Sequence, residues 1–186
     1  MTNQIIRQML RIINKFFMVP IFRLGLGAFV GNPITGYIML MKTTGWRTGK
    51  TRFSPANFAI VDGNVYCMAG FGEATHWYRN LKANPKIELL LPGGSVAGLG
   101  EEVDLSLDTI QVMRQILRNS GLVGRLAGYH PAKLSDQELQ DKMKDYPLMC
   151  IHPKGIGSGA GDAGGWLWIL VVIITIIALI LIFTSD

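Results

Sequence analysis

The ten residues Thr43–Arg52 (TTGWRTGKTR) combine three cationic side chains, Arg47, Lys50 and Arg52, with two glycines and several hydroxyls. Guanidinium groups and oriented backbone amides both stabilise phosphate and carboxylate oxygens. The stretch is therefore either an anion-binding loop or a solvated hairpin loop. It is not a nucleotide-binding phosphate loop, because that motif requires a glycine where Thr44 stands.

Other side chains with catalytic or metal-binding chemistry are dispersed along the chain. His76, His130 and His152 form no HxH or HxxxH pair, so we predict no metal site. Cys67 and Cys150 form no CxxC motif, and two such cysteines do not indicate a disulfide framework. Without a G-x-S-x-G element, a serine nucleophile is not indicated either. Hydrolysis is therefore disfavoured.

Short apolar runs separated by turn signals predict an antiparallel β-rich domain with helices on its side, hence an α+β fold or a small barrel. We expect strands over residues 36–42, 52–61, 65–69, 86–91, 95–105 and 147–152. Helical periodicity or capping signals predict helices over 75–83, 106–120 and from a capping box at Ser135 to about 145. No parallel βαβ order is present.

The two ends of the chain have their own composition. Residues 1–18 form a basic amphipathic helix, which fits either an anionic membrane interface or packing on the domain 19–154. Residues 155–165 are a Gly-rich linker. Residues 166–183 carry no charge and predict a C-terminal transmembrane helix. We therefore expect a single-pass membrane anchor that holds the domain on the cytoplasmic face.

Charge is distributed unevenly between the halves of the chain. The net charge is +5, and 49% of the residues are hydrophobic, which excludes a disordered chain. Residues 1–86 carry 11 basic and 2 acidic residues, whereas the remainder carries 7 and 11. No basic surface interleaved with aromatic residues is evident, so an anionic cofactor or a membrane is favoured over nucleic acid.

Two motifs carry a family resemblance. The string Thr43-Thr-Gly-x-x-Thr-Gly-x-x-Arg52 with Pro55, followed by Trp77-Tyr-x-Asn-Leu-Lys-Ala-Asn-Pro85, resembles the deazaflavin-dependent nitroreductase family. The resemblance covers residues 36–92 closely and 1–153 loosely. It implies a split β-barrel related to flavin-mononucleotide-binding proteins. It also implies an 8-hydroxy-5-deazaflavin coenzyme (coenzyme F-420) that donates hydride to nitro compounds or quinones.

The resemblance also implies a cofactor region. Its residues are Trp46, Arg47, Thr48, Arg52, Phe53, Ser54, Pro55, Ala56, Asn57, Met68, Ala69, Gly70, Phe71, His76, Trp77, Tyr78, Arg79 and Asn80. Arg47 and Arg52 are expected to hold phosphate or carboxylates. Trp77 either contacts the cofactor or fills the core. Tyr129 is a weak candidate for a catalytic residue, and no other is named.

The sequence departs from the family pattern at three places. Active members have a Lys at the position of Phe71 and an aromatic residue at that of Asn57, and the loop between Phe71 and His76 is about three residues shorter here. We therefore expect a membrane-anchored oxidoreductase that transfers hydride to a small lipophilic acceptor, a quinone or a nitro compound. The alternatives are a non-catalytic barrel that binds lipid or fatty acid, and the same enzyme type with flavin mononucleotide.

Overall fold

The computed structural model describes residues 8–9, 11–32, 36–106, 108–121, 124, 130–159 and 167–184. Six strands are present: β1 Ile38–Thr44, β2 Thr51–Val61, β3 Asn64–Met68, β4 Lys86–Leu91, β5 Gly94–Val103 and β6 Leu148–Ile156. The helices are α1 Val19–Arg23, which continues a π-helical turn Asn14–Met18, α2 Gly27–Val30, α3 His76–Ala83, α4 Ile110–Asn119, α5 Asp136–Met143 and α6 Leu167–Thr184. Short 3-10 turns occupy Gly72–Ala74 and Pro131–Lys133.

The strands form a closed antiparallel barrel in the order β1-β2-β3-β6-β5-β4. Alternate residues of each strand face the interior, where Met39, Met41, Leu89, Met149 and Ile151 are at most 1% exposed. These side chains belong to one apolar cluster that also includes residues of α3. Burial of this cluster is the main source of the barrel's stability, because apolar surface is removed from water on every strand.

Helices cover the barrel on three sides. Helix α3 contributes Trp77, Tyr78 and Leu81 to the interior cluster, and it ends before Pro85, which disfavours helical conformation in the preceding residue. Helices α4 and α5 pack on the outer face of β2, β3 and β6 in a second apolar cluster. Phe22 of α1 packs with Leu40 and Leu90 in a third.

The sequence-based helices and strands agree with these elements to within a few residues. The capping box at Ser135 is present: Ser135 Oγ accepts from the backbone N–H of Glu138, and the Glu138 carboxylate accepts from the backbone N–H of Ser135. The barrel itself has the antiparallel order expected. Strand β6 runs to Ile156, two residues into the stretch interpreted as a linker.

The prediction of a transmembrane helix over residues 166–183 was wrong. In the part of the chain that the structure describes, no helix is both long enough and apolar enough to cross a membrane. Helix α6, Leu167–Thr184, is the helix that this segment forms, and it has 18 residues. The predicted single-pass anchor is therefore wrong. The predicted localisation on the cytoplasmic face depended on that anchor and is not supported either.

Candidate functional site

The loop between β1 and β2 presents the three cations predicted from the sequence. A tight turn closes it: Gly45 N–H donates to Lys50 O at 2.8 Å, and Gly49 N–H donates to Gly45 O at 2.8 Å. Gly49 has φ +64°, a conformation that costs other residues about 1–2 kcal/mol. The turn thus displays Arg47, Lys50 and Arg52 on the surface, all of them exposed.

Among the described residues, no protein carboxylate pairs with these cations. The guanidinium of Arg47 stacks on the Trp46 ring at 4.4 Å, and Arg52 Nη2 donates to Thr48 Oγ1 at 3.4 Å. The salt bridges among the described residues join Lys42–Glu88, Lys82–Glu102, Arg114–Asp136 and His152–Glu101, and none involves the loop. The loop's positive charge is therefore available to an anionic ligand.

The side chain of Asn80 joins the two sequence motifs. Asn80 is 4% exposed and lies on α3. Its Nδ2 donates to Thr43 Oγ1 at 2.9 Å, and its Oδ1 accepts from the backbone N–H of Trp46 at 3.1 Å. The side-chain amide of Asn80 therefore ties both the end of β1 and the start of the cationic loop to helix α3. Asn80 positions the site from beneath it.

Strand β2 has an open edge next to this loop. Residues 51–57 of β2 pair with β1, whereas β3 pairs only with Phe58–Val61. Phe58 N–H donates to Tyr37 O of the adjoining chain, so by alternation the backbone groups of Phe53 and Pro55 point away from β1. Pro55 fits there because it lacks an N–H, a loss that is tolerated at an edge. The N–H of Phe53 and the carbonyls of both residues therefore point to the side on which β3 does not pair with β2.

The segment after β3 borders the same edge. Ala69 N–H donates to Pro147 O at 2.9 Å, which ties the segment to the start of β6. Gly72 has φ +59°, and a Cβ there would lie 3.0 Å from Asp145 O, so glycine is needed for the turn. Phe71 is held by its N–H donating to Thr75 Oγ1 at 3.2 Å and is 38% exposed. An apolar ring is therefore exposed in the segment that follows β3.

Only some residues of the cofactor region implied by the family resemblance are exposed at the protein surface. The exposed members are Trp46, Arg47, Thr48, Arg52, Gly70, Phe71, His76 and Arg79, and the partly exposed ones are Phe53, Ser54, Pro55, Ala56, Asn57 and Met68. Ala69, Trp77, Tyr78 and Asn80 are buried. Trp77 and Tyr78 belong to the interior cluster, the alternative left open for Trp77. Tyr129 lies outside the described residues.

Two of the buried or diverging positions have clear local roles. Tyr78 OH donates to Glu102 Oε2 at 2.8 Å, and burial together with this bond raises the pKa of Tyr78 to about 12. Asn57 faces outward, where its Nδ2 donates to Tyr37 O at 3.2 Å. Tyr78 therefore stays a neutral phenol that anchors α3 to β5. The Asn57 side chain therefore ties β2 to the residue that precedes β1, and it does not face the barrel interior.

A groove of about 470 Å³ lies beside the base of the cationic loop and was not recognised from the sequence. Thr44 and Thr51, which flank the loop, line it together with Lys86 and Lys154. These lysines are far apart in sequence and become neighbours only because β4, β5 and β6 pair. No sequence motif predicts this groove.

Comparison with known proteins places the chain in a family. The sequence pattern described as F420H(2)-dependent quinone reductase matches residues 19–120, more than half of the 186 residues. That region contains the cationic loop, the open edge of β2 and Asn80.

The solved structures that this chain matches include three reductase or oxidase chains. An F420-H2 dependent reductase is 22% identical, with 62% of this chain and 93% of that chain covered at a TM-score of 0.42. An F420 reductase is 18% identical, with 69% and 92% covered at 0.45. A putative pyridoxamine 5'-phosphate oxidase from Listeria innocua is 9% identical, with 64% and 86% covered at 0.45. On the sequence match, the chain belongs to the F420H(2)-dependent quinone reductase family and is a deazaflavin-dependent oxidoreductase.

Proposed function

We propose that the chain binds the reduced 8-hydroxy-5-deazaflavin coenzyme between the cationic loop and the open edge of β2, and reduces a small lipophilic acceptor, a quinone or a nitro compound. The observation that carries this proposal is the juxtaposition of Arg47, Lys50 and Arg52 with backbone groups of β2 that β3 leaves unpaired. When bound, the reduced coenzyme supplies a hydride to the acceptor.

The cationic loop suits the anionic part of the coenzyme, a phosphate followed by a glutamate tail. Arg52 and Arg47 offer planar guanidinium donors, which can bind phosphate or carboxylate oxygens in pairs. Thr48 Oγ1 already orients Arg52, so less side-chain freedom is lost when an anion binds. These residues hold the anion without having to leave a protein carboxylate.

The open edge suits a flat heterocycle with amide-like groups. Phe53 can donate through its N–H, and Phe53 and Pro55 can accept through their carbonyls, as a neighbouring strand would allow. Because the backbone is held by seven register pairs with β1, the edge is rigid before a ligand arrives. The protein's contribution to hydride transfer is this fixed orientation, so no acid or base is assigned.

The exposed apolar rings favour a lipophilic acceptor. Phe71 is 38% and Trp46 45% exposed, and both belong to segments that border the site. Burial of such surface against an acceptor contributes about 25 cal/mol per Å² and excludes water from the reacting atoms. The lysine of relatives would instead place a charge at Phe71.

Equilibrium titration with the reduced coenzyme tests the proposal. The wild-type chain should bind at micromolar concentration, and Arg52→Ala should weaken binding about 10–100-fold, the loss of one charge-assisted hydrogen bond. Arg118→Ala is the matched control, because Arg118 is exposed on α4 and far along the chain from the loop. Turnover is then compared for a lipophilic quinone, a nitroaromatic compound and a water-soluble quinone.

Several outcomes would contradict the proposal. No binding of the coenzyme at micromolar concentration removes the cofactor assignment, and tight binding of flavin mononucleotide instead replaces it. Equal effects of Arg52→Ala and Arg118→Ala remove the loop from the site. Faster turnover of the water-soluble quinone removes the assignment of a lipophilic acceptor.

A further inference from the structure

Three side chains with metal-binding atoms meet on the outer face of the barrel, on the sheet formed by β3, β6 and β5. Cys150 and His152 are two residues apart on β6 and therefore face the same side. Glu101 of β5 stands directly opposite Cys150 in the register. Their ligand atoms lie within 4.8 Å of one another. The strand pairing places them together, although 48 or more residues separate Glu101 from the other two.

We propose that Cys150, His152 and Glu101 form a binding site for a zinc-type divalent cation. In a tetrahedral site with Zn–S of about 2.3 Å and Zn–N of about 2.0–2.1 Å, ligand atoms are about 3.6 Å apart. The ligand atoms lie within 4.8 Å of one another and Nε2 is 2.7 Å from Glu101 Oε1, so adjustments of about 1 Å by side-chain rotation reach the spacing of a loaded site. A thiolate, an imidazole and a carboxylate are the donor types that zinc accepts.

The orientation of His152 supports this assignment. Its Nδ1 lies 3.0 Å from Asn64 Oδ1, and its Nε2 lies 2.7 Å from Glu101 Oε1. Neither oxygen carries a hydrogen, so each contact is a hydrogen bond only when the ring nitrogen donates. A cation at Nε2 would take the place of the proton between Nε2 and Glu101, while Nδ1 keeps its bond to Asn64. A second protein group that accepts from the far nitrogen is the usual arrangement of a metal-bound histidine. In the absence of metal, His152 and Glu101 hold each other as an ion pair or hydrogen-bonded pair.

Cys150 has to lose its thiol proton to act as a ligand. Cys150 is 2% exposed, and in the register it stands opposite Glu101 on β5 and opposite Tyr66 on β3. Metal binding would replace the thiol proton, which passes to solvent. Glu101 is exposed, so a fourth position can be filled by water.

The cation would act on the barrel wall and not on the proposed coenzyme site. Met149 and Ile151, the neighbours of Cys150 on β6, face the interior cluster. A cation bound on the opposite face would link β5 to β6 and, through Asn64, to β3. It would therefore raise the stability of the folded state, because it binds the folded chain better than the unfolded one.

Titration of the tag-free, chelator-treated protein with Zn²⁺, followed by calorimetry, tests the site. We expect one Zn²⁺ per chain and an increase in melting temperature. Loss of a residue that hydrogen-bonds a metal ligand typically lowers metal affinity by roughly 10–100-fold, and Asn64→Ala should lower Zn²⁺ affinity within that range. Cys150→Ala and His152→Ala each remove a ligand and should lower Zn²⁺ affinity by more. Co²⁺ should produce a thiolate charge-transfer band in the near ultraviolet that Cys150→Ala removes.

Cys67→Ala is the matched control, because Cys67 is buried and faces the interior from β3. His76→Ala controls for an exposed histidine elsewhere. His152 is partly exposed, so His152→Ala should fold. If Cys150→Ala does not fold, His152→Ala decides the result. Absence of one-to-one binding, unchanged binding in His152→Ala, or Co²⁺ binding without the thiolate band would each overturn the site.

Discussion

Replacement of Asn80 by Ala should destabilise the fold and weaken the coenzyme site together. Two hydrogen bonds disappear, and they leave the Thr43 hydroxyl and the Trp46 N–H without the partner they have in the wild type. A buried polar group left unsatisfied costs about 1–3 kcal/mol, and Thr43 is 3% exposed whereas Trp46 N–H is only partly buried. We therefore expect a loss of about 2–4 kcal/mol in the free energy of unfolding. In a chain of this size, that corresponds to a fall in melting temperature of roughly 4–16 °C.

Urea unfolding and coenzyme titration measure the two effects separately. Asn80→Asp keeps an acceptor for Trp46 N–H but removes the donor to Thr43 Oγ1, so it should retain more coenzyme affinity than Asn80→Ala. Asn84→Ala is the control, because Asn84 Oδ1 accepts only a local bond from Lys86 N–H. An Asn80→Ala variant with unfolding free energy within about 0.5 kcal/mol of wild type and unchanged coenzyme affinity would refute the positioning role.

Three further predictions concern the remaining polar contacts. Arg114→Ala removes a buried guanidinium that donates to Asp136 Oδ1, and thermal or urea unfolding should show a loss of about 2–4 kcal/mol; a loss below 1 kcal/mol would contradict the role of this pair. The hydrogen bond from Lys82 holds the pKa of Glu102 below its usual value. The contribution of ionised Glu102 to the free energy of unfolding is therefore complete above the unfolded-state pKa and is lost as the pH falls through the folded-state pKa. Glu102→Gln should therefore flatten the decline in stability below about pH 4, and an unchanged pH profile would argue against it. Ser135→Ala removes the N-cap of α5 and should cost about 1 kcal/mol in urea unfolding, with Ser135→Thr as the conservative variant that retains most of it.

Local signals were sufficient for the secondary structure because each signal acts over a few residues. The capping box at Ser135 and the end of α3 before Pro85 are both decided by backbone conformation and neighbouring hydrogen bonds. The cationic loop could also be predicted, since its glycines and charges are contiguous. The family motifs then indicated the deazaflavin-dependent activity.

The prediction for residues 166–183 depended on hydropathy and was wrong. The described helix covers Leu167–Thr184, and no helix in the described ranges qualifies as a membrane span. The apolar composition of this segment was therefore not sufficient to predict a membrane span.

The sequence by itself determined which segments form strands and helices, where the chain turns and which loop carries the cations, because these properties follow from adjacent residues. Only the tertiary structure decided that Asn80 supports the loop, that Phe53 and Pro55 face an open edge, and that Trp77 and Tyr78 are buried. It likewise brought Glu101 to Cys150 and His152. These relations join residues distant in sequence through strand register and helix packing, and a shift of register by one residue would have turned each side chain to the other face.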